Sequence, residues 1–169
     1  MAILLPGGAG FIGSHTAIEL LNAGKDIIIV DNFSNSKPEV LESIKKITGK
    51  DFKFYEMDYL DNQKLEKVFQ ENKIEAVLNF AGFKAVGESV KKPIEYYKNN
   101  ISGALVLLET MKKYNVKKFI FSSSATVYGD PEQIPITEDC KTGGTTNPYG
   151  TTKLFIEQIL KDIYASDNT

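Results

Sequence analysis

The most informative residues of this chain are Leu5-Pro6-Gly7-Gly8-Ala9-Gly10-Phe11-Ile12-Gly13. They follow a short apolar segment that is typical of a buried strand, and they begin an amphipathic helix. Glycine at positions 7, 10 and 13 permits a tight turn, a close backbone approach to a pyrophosphate, and close packing of the helix on the strand. The first N–H groups of such a helix and the positive end of its dipole favour a phosphate. The motif therefore predicts a dinucleotide-binding turn.

A second apolar strand pattern supports the same interpretation. It is Asp26-Ile27-Ile28-Ile29-Val30-Asp31, and its last residue lies about 20 residues beyond the turn, where a carboxylate accepts both ribose hydroxyls of NAD. Glycine-rich turns alone are common in α/β proteins and carry little weight. With the strand and the acid, the turn predicts NAD as the cofactor, bound by Gly7, Gly10, Gly13 and Asp31.

Strand and helix patterns alternate along the whole chain. We predict strands at residues 2–5, 26–31, 52–57, 75–80 and 118–122, and helices at 11–23, 39–48, 63–72, 94–114 and 149–165. This alternation is typical of an α/β fold, here a Rossmann-type, doubly wound parallel sheet with helices on both faces. The strand order 3-2-1-4-5-6 needs a sixth strand after the last helix, but residues 166–169 are polar. We therefore expect one NAD-binding domain over residues 1–169, truncated before strand six and without a C-terminal substrate domain.

The composition excludes several classes of protein. A net charge of −2 gives no basis for binding nucleic acid or an anionic membrane. The 20 basic residues are all lysine, so phosphate contacts fall to backbone N–H groups and lysine rather than to guanidinium groups. The single cysteine, Cys140, excludes an internal disulfide and fits a reducing compartment. With no secretory signal and no apolar stretch of membrane-spanning length, we expect a cytoplasmic protein.

Polar clusters follow the fourth and fifth predicted strands. Residues 79–89 come after strand four, and residues 122–129 come after strand five. In a doubly wound sheet the strand order reverses between strands one and four, and ligands bind in the crevice beside that point. We expect both clusters to line such a crevice, in a site without a metal.

A tyrosine and a lysine occur four positions apart, at Tyr149 and Lys153, which places both side chains on one face of the last predicted helix. Ionising a tyrosine of pKa about 10 near neutral pH costs about 4 kcal/mol. A cation at about 4 Å supplies a comparable amount at an effective dielectric of about 20, so the pair can act as a general base. The same spacing recurs at Tyr114 and Lys118. We interpret that copy as the end of a long helix, because only Tyr149 and Lys153 follow a serine cluster and begin a helix.

Taken in order, these motifs resemble those in the N-terminal half of the UDP-glucose 4-epimerases, which are extended short-chain dehydrogenases/reductases. The resemblance is carried by residues 7–15, 31–36, 58, 80–90, 96–97, 99, 119–130 and 148–153. It implies NAD-dependent interconversion of UDP-glucose and UDP-galactose through a 4-keto intermediate, in galactose metabolism. Nucleotide-sugar 4,6-dehydratases carry an acidic pair after the strand-five serine or threonine. This chain has Ala125 and Thr126 there, which favours epimerisation over dehydration.

The resemblance also implies roles for individual residues. The catalytic residues would be Ser124, Tyr149 and Lys153. Besides the glycine turn and the Tyr149–Lys153 pair, NAD would contact Phe11, Ile12, Asp31, Asn32, Phe33, Ser34, Asn35, Ser36, Asp58, Tyr59, Phe80, Ala81, Gly82, Phe83, Lys84 and Asn99. The UDP-sugar would contact Lys84, Ser124, Ala125, Thr126 and Tyr149. The helices at 94–114 and 149–165 would join two copies of the chain in a homodimer.

Two departures from the family pattern leave alternatives open. Family members usually carry threonine where this chain has Pro6, and proline removes a backbone donor from the end of a central strand. The resemblance also places most uridine and diphosphate contacts in a C-terminal half, so we expect weak NAD binding and little turnover from a half-length chain. One alternative is a non-catalytic NAD-binding chain. Another is a 4-epimerase of a different UDP-sugar, such as UDP-N-acetylglucosamine.

Overall fold

The computed structural model describes residues 1–167 of the chain. The chain forms two compact units, of which the first comprises Met1–Ala81 and Leu105–Ser122. The second comprises Gly82–Ala104 and the residues from Ser123 onward. The single domain expected over residues 1–169 stays a prediction, and residues 168 and 169 lie outside the described part of the chain.

The first unit contains a five-stranded parallel sheet. Its strands are β1 (Ala2–Pro6), β2 (Asp26–Asp31), β3 (Lys53–Glu56), β4 (Ile74–Asn79) and β5 (Lys118–Phe121). They lie in the order β3-β2-β1-β4-β5, which confirms the first five positions of the predicted order and its reversal between β1 and β4. Each strand begins and ends within one residue of the predicted position.

Buried residues on both faces of this sheet pack against helices, because successive strand side chains point to opposite sides. The helices are α1 (Phe11–Asn22), α2 (Glu39–Thr48), α3 (Asn62–Glu71) and most of α6 (Gly103–Lys113). Leu4 and Val77 share one buried cluster with residues of α3 and α6. Ile3 and Ile29 share a second buried cluster with residues of α1 and α2. The predicted α/β fold with helices on both faces is therefore confirmed.

Single residues determine where these helices begin and end. Gly24 follows α1 with φ +75°, and Gly49 ends α2 with φ +66°, a conformation that glycine adopts without a steric penalty. The Asp61 side chain accepts a hydrogen bond from Lys64 N at 3.2 Å and caps α3. Glycine after a helix and aspartate before one are sequence signals for such boundaries, so all three boundaries can be predicted from the sequence.

Pro6 ends β1, the central strand of the sheet. The pairing of β1 with β2 extends to Pro6, whereas its pairing with β4 stops at Leu4. The Pro6 carbonyl still accepts a bond from Phe80 N at 2.9 Å, but proline has no N–H to donate. The expected loss of a strand donor therefore falls next to the glycine turn.

The second unit is helical. It contains α4 (Val86–Lys91), α5 (Pro93–Tyr97), a π-helix (Lys98–Ser102), a 3₁₀-helix (Ala125–Tyr128) and α7 (Pro148–Asp167). The single helix predicted over 94–114 is wrong in one respect, since the π-helix separates α5 from α6. The sequence pattern also misses α4 and the 3₁₀-helix, because six and four residues are too few to display a helical period.

Candidate functional site

The glycine turn of the first unit leaves no room for side chains. Gly7 has φ +73°, and a Cβ added there would lie 2.6 Å from the backbone N of Ala81. A Cβ on Gly13 would lie 2.5 Å from the carbonyl oxygen of Gly7. The turn therefore holds β1, the start of α1 and the end of β4 in close backbone contact, as the spacing of the glycines predicts.

The start of α1 carries unused donors and exposed apolar side chains. Its N-cap residue, Gly10, offers no side-chain hydrogen bond to the first N–H groups of the helix, which an α-helix leaves without intrahelical partners. Phe11 and Ile12 follow with 75% and 57% of their surface exposed. An anionic group with an adjoining ring system would satisfy both features.

Asp31 connects the glycine turn to the loop that follows β2. Its carboxylate accepts hydrogen bonds from Ala9 N at 3.0 Å, Phe33 N at 2.9 Å and Ser36 Oγ at 2.8 Å, and the residue is buried. A carboxylate offers about four acceptor positions, so it retains capacity for a further donor. The sequence predicts Asp31 as a ligand-binding acid, and the structure adds that it also holds the turn.

The loops after β2 and β3 meet through side chains of the predicted NAD-binding set. Asn32 Nδ2 donates to Asp58 Oδ2 at 3.4 Å, while Asp58 Oδ1 accepts from Leu60 N at 2.9 Å. Ser34 N donates to Asn32 Oδ1 at 3.0 Å, and Ser34 and Asn35 are exposed. Tyr59 differs, because its side chain lies in the buried core and burial raises the pKa of its phenol.

In the second unit, Asn100 organises the loop that follows β4. Its Oδ1 accepts from Phe83 N at 2.8 Å and from Asn99 Nδ2 at 3.0 Å, and its Nδ2 donates to Phe83 O at 3.0 Å. Its Nδ2 also donates to Thr152 Oγ1 at 3.0 Å, and Thr152 Oγ1 donates to Tyr149 O at 2.7 Å. Lys84, next to Phe83, is exposed.

The sequence analysis missed Asn100. Asn100 lies in the π-helix beside Asn99. Once the structure shows this π-helix, Asn100 becomes a candidate functional residue, since π-helical turns are frequent at functional sites. Two consecutive asparagines within the predicted helix are the sequence sign of it.

Ser124 presents its hydroxyl from the start of the 3₁₀-helix. Its Oγ accepts from Thr126 N at 3.3 Å and from Thr126 Oγ1 at 3.0 Å. A serine hydroxyl has one donor besides its two acceptor positions, so the O–H of Ser124 can donate elsewhere. Ala125 is exposed and Thr126 is partly buried.

Tyr149 and Lys153 lie one turn apart at the start of α7. Asn147 Oδ1 accepts from Gly150 N at 2.8 Å and supports this first turn. Lys153 Nζ lies 5.9 Å from the centre of the Tyr149 ring. Lys153 is only 6% exposed, and burial lowers its pKa to about 8. The ammonium therefore keeps its charge at neutral pH, close to the Tyr149 ring.

The second Tyr–Lys spacing does not form a comparable pair. Helix α6 ends at Lys113, before Tyr114, and Lys118 begins β5. Tyr114 instead packs against Phe69, with ring centres 5.6 Å apart. The interpretation of this copy as structural agrees with the fold, although Tyr114 lies just beyond the helix rather than at its end.

Two other features are absent from residues 1–167. In that range no group of three or more histidine, cysteine, aspartate or glutamate residues is arranged to hold a metal ion. Among the helices of the same range, none has the length and apolar character that crossing a membrane requires.

Comparisons with known proteins agree with this geometry. Residues 3–169 match the family described as NAD dependent epimerase/dehydratase. A UDP-glucose 4-epimerase of Pasteurella multocida is 65% identical over 163 residues, which are 96% of this chain and 48% of that protein. The chain thus spans about half the length of the curated relatives it matches.

Solved structures of UDP-sugar 4-epimerases also resemble this chain over nearly its whole length. The UDP-glucose 4-epimerase of Bifidobacterium longum, in complex with NAD+ and UDP, superimposes with a TM-score of 0.97 at 62% identity, over 99% of this chain and 50% of that one. A UDP-Glc/GlcNAc 4-epimerase of Campylobacter jejuni superimposes with a TM-score of 0.92 at 36% identity, again over 99% of this chain and 50% of that one.

Proposed function

This chain belongs to the NAD-dependent epimerase/dehydratase family, and from that premise we propose that it interconverts UDP-glucose and UDP-galactose by NAD-dependent 4-epimerisation, in galactose metabolism. A curated relative that is 65% identical to this chain carries the name UDP-glucose 4-epimerase. A solved structure that is 62% identical carries the same name. The proposal extends to this chain what those names state for proteins about twice its length.

The observation that carries the proposal is the first two turns of α7. They hold Tyr149, the buried Lys153 and the hydrogen bond from Thr152 to the Tyr149 carbonyl. A tyrosine beside a buried ammonium is suited to remove a proton from an alcohol and to return it. No such pairing exists at Tyr114 and Lys118, although the sequence spacing is the same.

The first unit fits the dinucleotide that this chemistry needs. The backbone approach at Gly7 would be blocked by any Cβ, the first N–H groups of α1 have no side-chain cap, and Asp31 retains acceptor capacity. In the proposal the glycine turn binds the pyrophosphate, Asp31 binds the adenosine ribose, and Phe11 and Ile12 cover the bound molecule. Bound NAD would supply the hydride acceptor and donor for C4 of the sugar.

Three side chains of the second unit act on the sugar in this proposal. Tyr149 would take the proton of the 4-hydroxyl as the hydride leaves C4, and would return it when the hydride comes back to the opposite face of the 4-keto sugar. Lys153 would place a positive charge beside the phenol and bind the nicotinamide ribose. Ser124 donates its O–H to the reacting oxygen, since its own Oγ already accepts two bonds from Thr126. Asn99, Phe83 and Lys84 are proposed to contact the cofactor or the sugar.

The test is a coupled assay that detects UDP-glucose formed from UDP-galactose. Because the chain spans half the length of its relatives, we expect its turnover to be low, and we expect Tyr149→Phe to reduce that rate by up to about 10²–10⁴-fold, the contribution typical of a general base. Tyr114→Phe is the matched control and should turn over like wild type. NAD binding without turnover would overturn the proposal in favour of a non-catalytic NAD-binding chain.

The same assay with UDP-N-acetylgalactosamine addresses the other UDP-sugar. The likeness to a UDP-Glc/GlcNAc 4-epimerase is the observation that favours this second candidate. A higher kcat/KM for the N-acetylated substrate would replace the assignment to UDP-glucose while leaving the roles of Tyr149 and Lys153 intact.

A further inference from the structure

Glu157 extends the functional face of α7 but has no part in the proposed chemistry. It follows Tyr149 and Lys153 at intervals of four residues, and this spacing keeps the three side chains on neighbouring parts of one helical surface. Its Oε1 accepts a hydrogen bond from Ser123 Oγ at 2.5 Å, in a partly buried position. Hydrogen bonds from a hydroxyl to a carboxylate are short and strong.

Ser123 directly precedes Ser124, whose hydroxyl the proposed reaction uses. The Ser124 side chain bonds only within its own turn, to Thr126, so those bonds do not fix the turn against the rest of the unit. Gly143 N donates to Val127 O at 2.8 Å and ties the turn to the loop before α7. Two further contacts tie it to α7 itself. A Cβ on Gly150 would lie 3.1 Å from Thr126 O, which places the two backbones in close contact, and Glu157 holds Ser123.

These two contacts are seven residues apart on α7. At a rise of about 1.5 Å per residue, they are separated by about 10 Å along the helix axis. Two contacts at this separation hold the serine segment against α7 at two points, so the loss of either would loosen its direction relative to the helix.

We propose that Glu157 is a positioning residue that holds the Ser124 turn against the helix carrying Tyr149 and Lys153. This rests on the proposed function, since both Ser124 and Tyr149 must reach the same oxygen of the sugar. The relative position of Ser124 and Tyr149 matters because a displacement of about 1 Å from a reactive geometry can reduce the rate about 100-fold.

The kinetic test compares Ser123→Ala, Glu157→Ala, Glu157→Gln and the double variant Ser123→Ala with Glu157→Ala. We expect the two alanine variants to lose kcat by up to about 100-fold, with KM for UDP-galactose little changed. Glu157→Gln should retain most activity, because its amide oxygen still accepts from Ser123. The double variant should be no slower than the slower single variant. Lys161→Ala, at an exposed site on α7, is the matched control.

A second readout does not depend on turnover. Thr126, Val127 and Gly129 donate backbone hydrogen bonds inside the Ser124 turn, and their amide exchange reports how firmly it is held. We expect faster exchange in Ser123→Ala and Glu157→Ala, and wild-type exchange in Glu157→Gln and Lys161→Ala.

The outcomes separate the two proposals. Unchanged exchange in both alanine variants, or additive losses of kcat in the double variant, would overturn the role of Glu157 whatever the enzyme does. Faster exchange in a protein that shows no epimerase turnover would support the anchor and reject the proposed function.

Discussion

Lys153 keeps a positive charge where burial opposes it. Only 6% of its surface is exposed, and burial lowers its pKa to about 8 from the usual 10.5. Removing an ammonium from water is unfavourable, so the folded protein holds this charge at a cost in stability. In the proposed function this charge lies beside the tyrosine that takes the proton, which gives a functional reason for retaining it.

Replacing Lys153 should therefore raise stability while removing activity. Below pH 8 both the folded and unfolded chains hold the proton, and the burial penalty is fully present. Between about pH 8 and pH 10.5 the unfolded chain binds more protons, so the stability of the wild type rises with pH. We expect Lys153→Met to exceed the wild type by about 1–3 kcal/mol at pH 7, and the gap to close above pH 8.

Urea unfolding at pH 7 and pH 10 measures this difference. Lys161→Met, at an exposed position of the same helix, should unfold like the wild type at both values. A Lys153→Met protein less stable than wild type at pH 7 would show that contacts of the ammonium outweigh the burial penalty.

Asp31 should set the preference for NAD over NADP. A carboxylate repels the 2′-phosphate of NADP, and a chain without arginine has no guanidinium to neutralise it. We expect Asp31→Asn to weaken NAD binding and to bring the dissociation constants for NAD and NADP closer together. Titration of both cofactors, with Asp26→Asn at the exposed start of β2 as control, measures the effect. Equal binding of NAD and NADP by the wild type would contradict the assignment of Asp31.

At the scale of elements, one backbone crossing determines the geometry of the turn. Gly7 and Gly24 have nearly the same conformation, with φ +73° and φ +75°, but their surroundings differ. A Cβ on Gly7 would collide with the backbone at Ala81, whereas a Cβ on Gly24 would meet nothing within 4 Å. Comparing alanine substitutions at these two glycines therefore separates two costs in stability. One is the cost of a left-handed backbone, and the other is the cost of steric overlap with a neighbouring backbone.

We expect Gly24→Ala to destabilise the protein by about 1–2 kcal/mol, the cost of a left-handed conformation for a residue with a Cβ. Gly7→Ala should cost a further 1–3 kcal/mol or so from overpacking and should abolish NAD binding, while Gly24→Ala leaves binding intact. Urea unfolding and NAD titration of the two variants check this. Equal losses of stability would show that the turn can move away from β4.

At the scale of the whole molecule, the homodimer through helices 94–114 and 149–165 stays a prediction. Ile94 is 77% exposed and Phe155 is 49% exposed, which suits an interface. Ala104, in the same predicted helix as Ile94, has only 1% of its surface exposed and therefore has almost no surface to contribute. Burying a large apolar side chain contributes about 1.5–3 kcal/mol to the free energy of association. In a two-fold symmetric interface each such residue is buried once on each subunit.

We therefore expect Phe155→Lys to raise the dimer dissociation constant by at least about tenfold. Light scattering over a concentration series measures it, with Lys46→Glu, an exposed residue of α2, as control. A wild-type protein that stays monomeric at high concentration would contradict the proposed interface.

The sequence by itself determined the sheet and the glycine turn that follows its first strand. Apolar strands buried on both faces, glycine spacing and helix-capping residues are local signals, because each reports what its own backbone and nearest neighbours require. Residues such as Asp61, Gly49 and the turn at Gly7 therefore predicted element ends within one or two positions.

Only the tertiary structure decided how the proposed catalytic side chains are supported. Asn100 bonds Thr152 across 52 positions, and Ser123 bonds Glu157 across 34. Burial of Lys153 and of the Asp31 carboxylate likewise depends on residues distant in the chain. Such partners leave no periodic or compositional mark, since the distance between them is set by how loops close and helices pack rather than by any rule of local spacing.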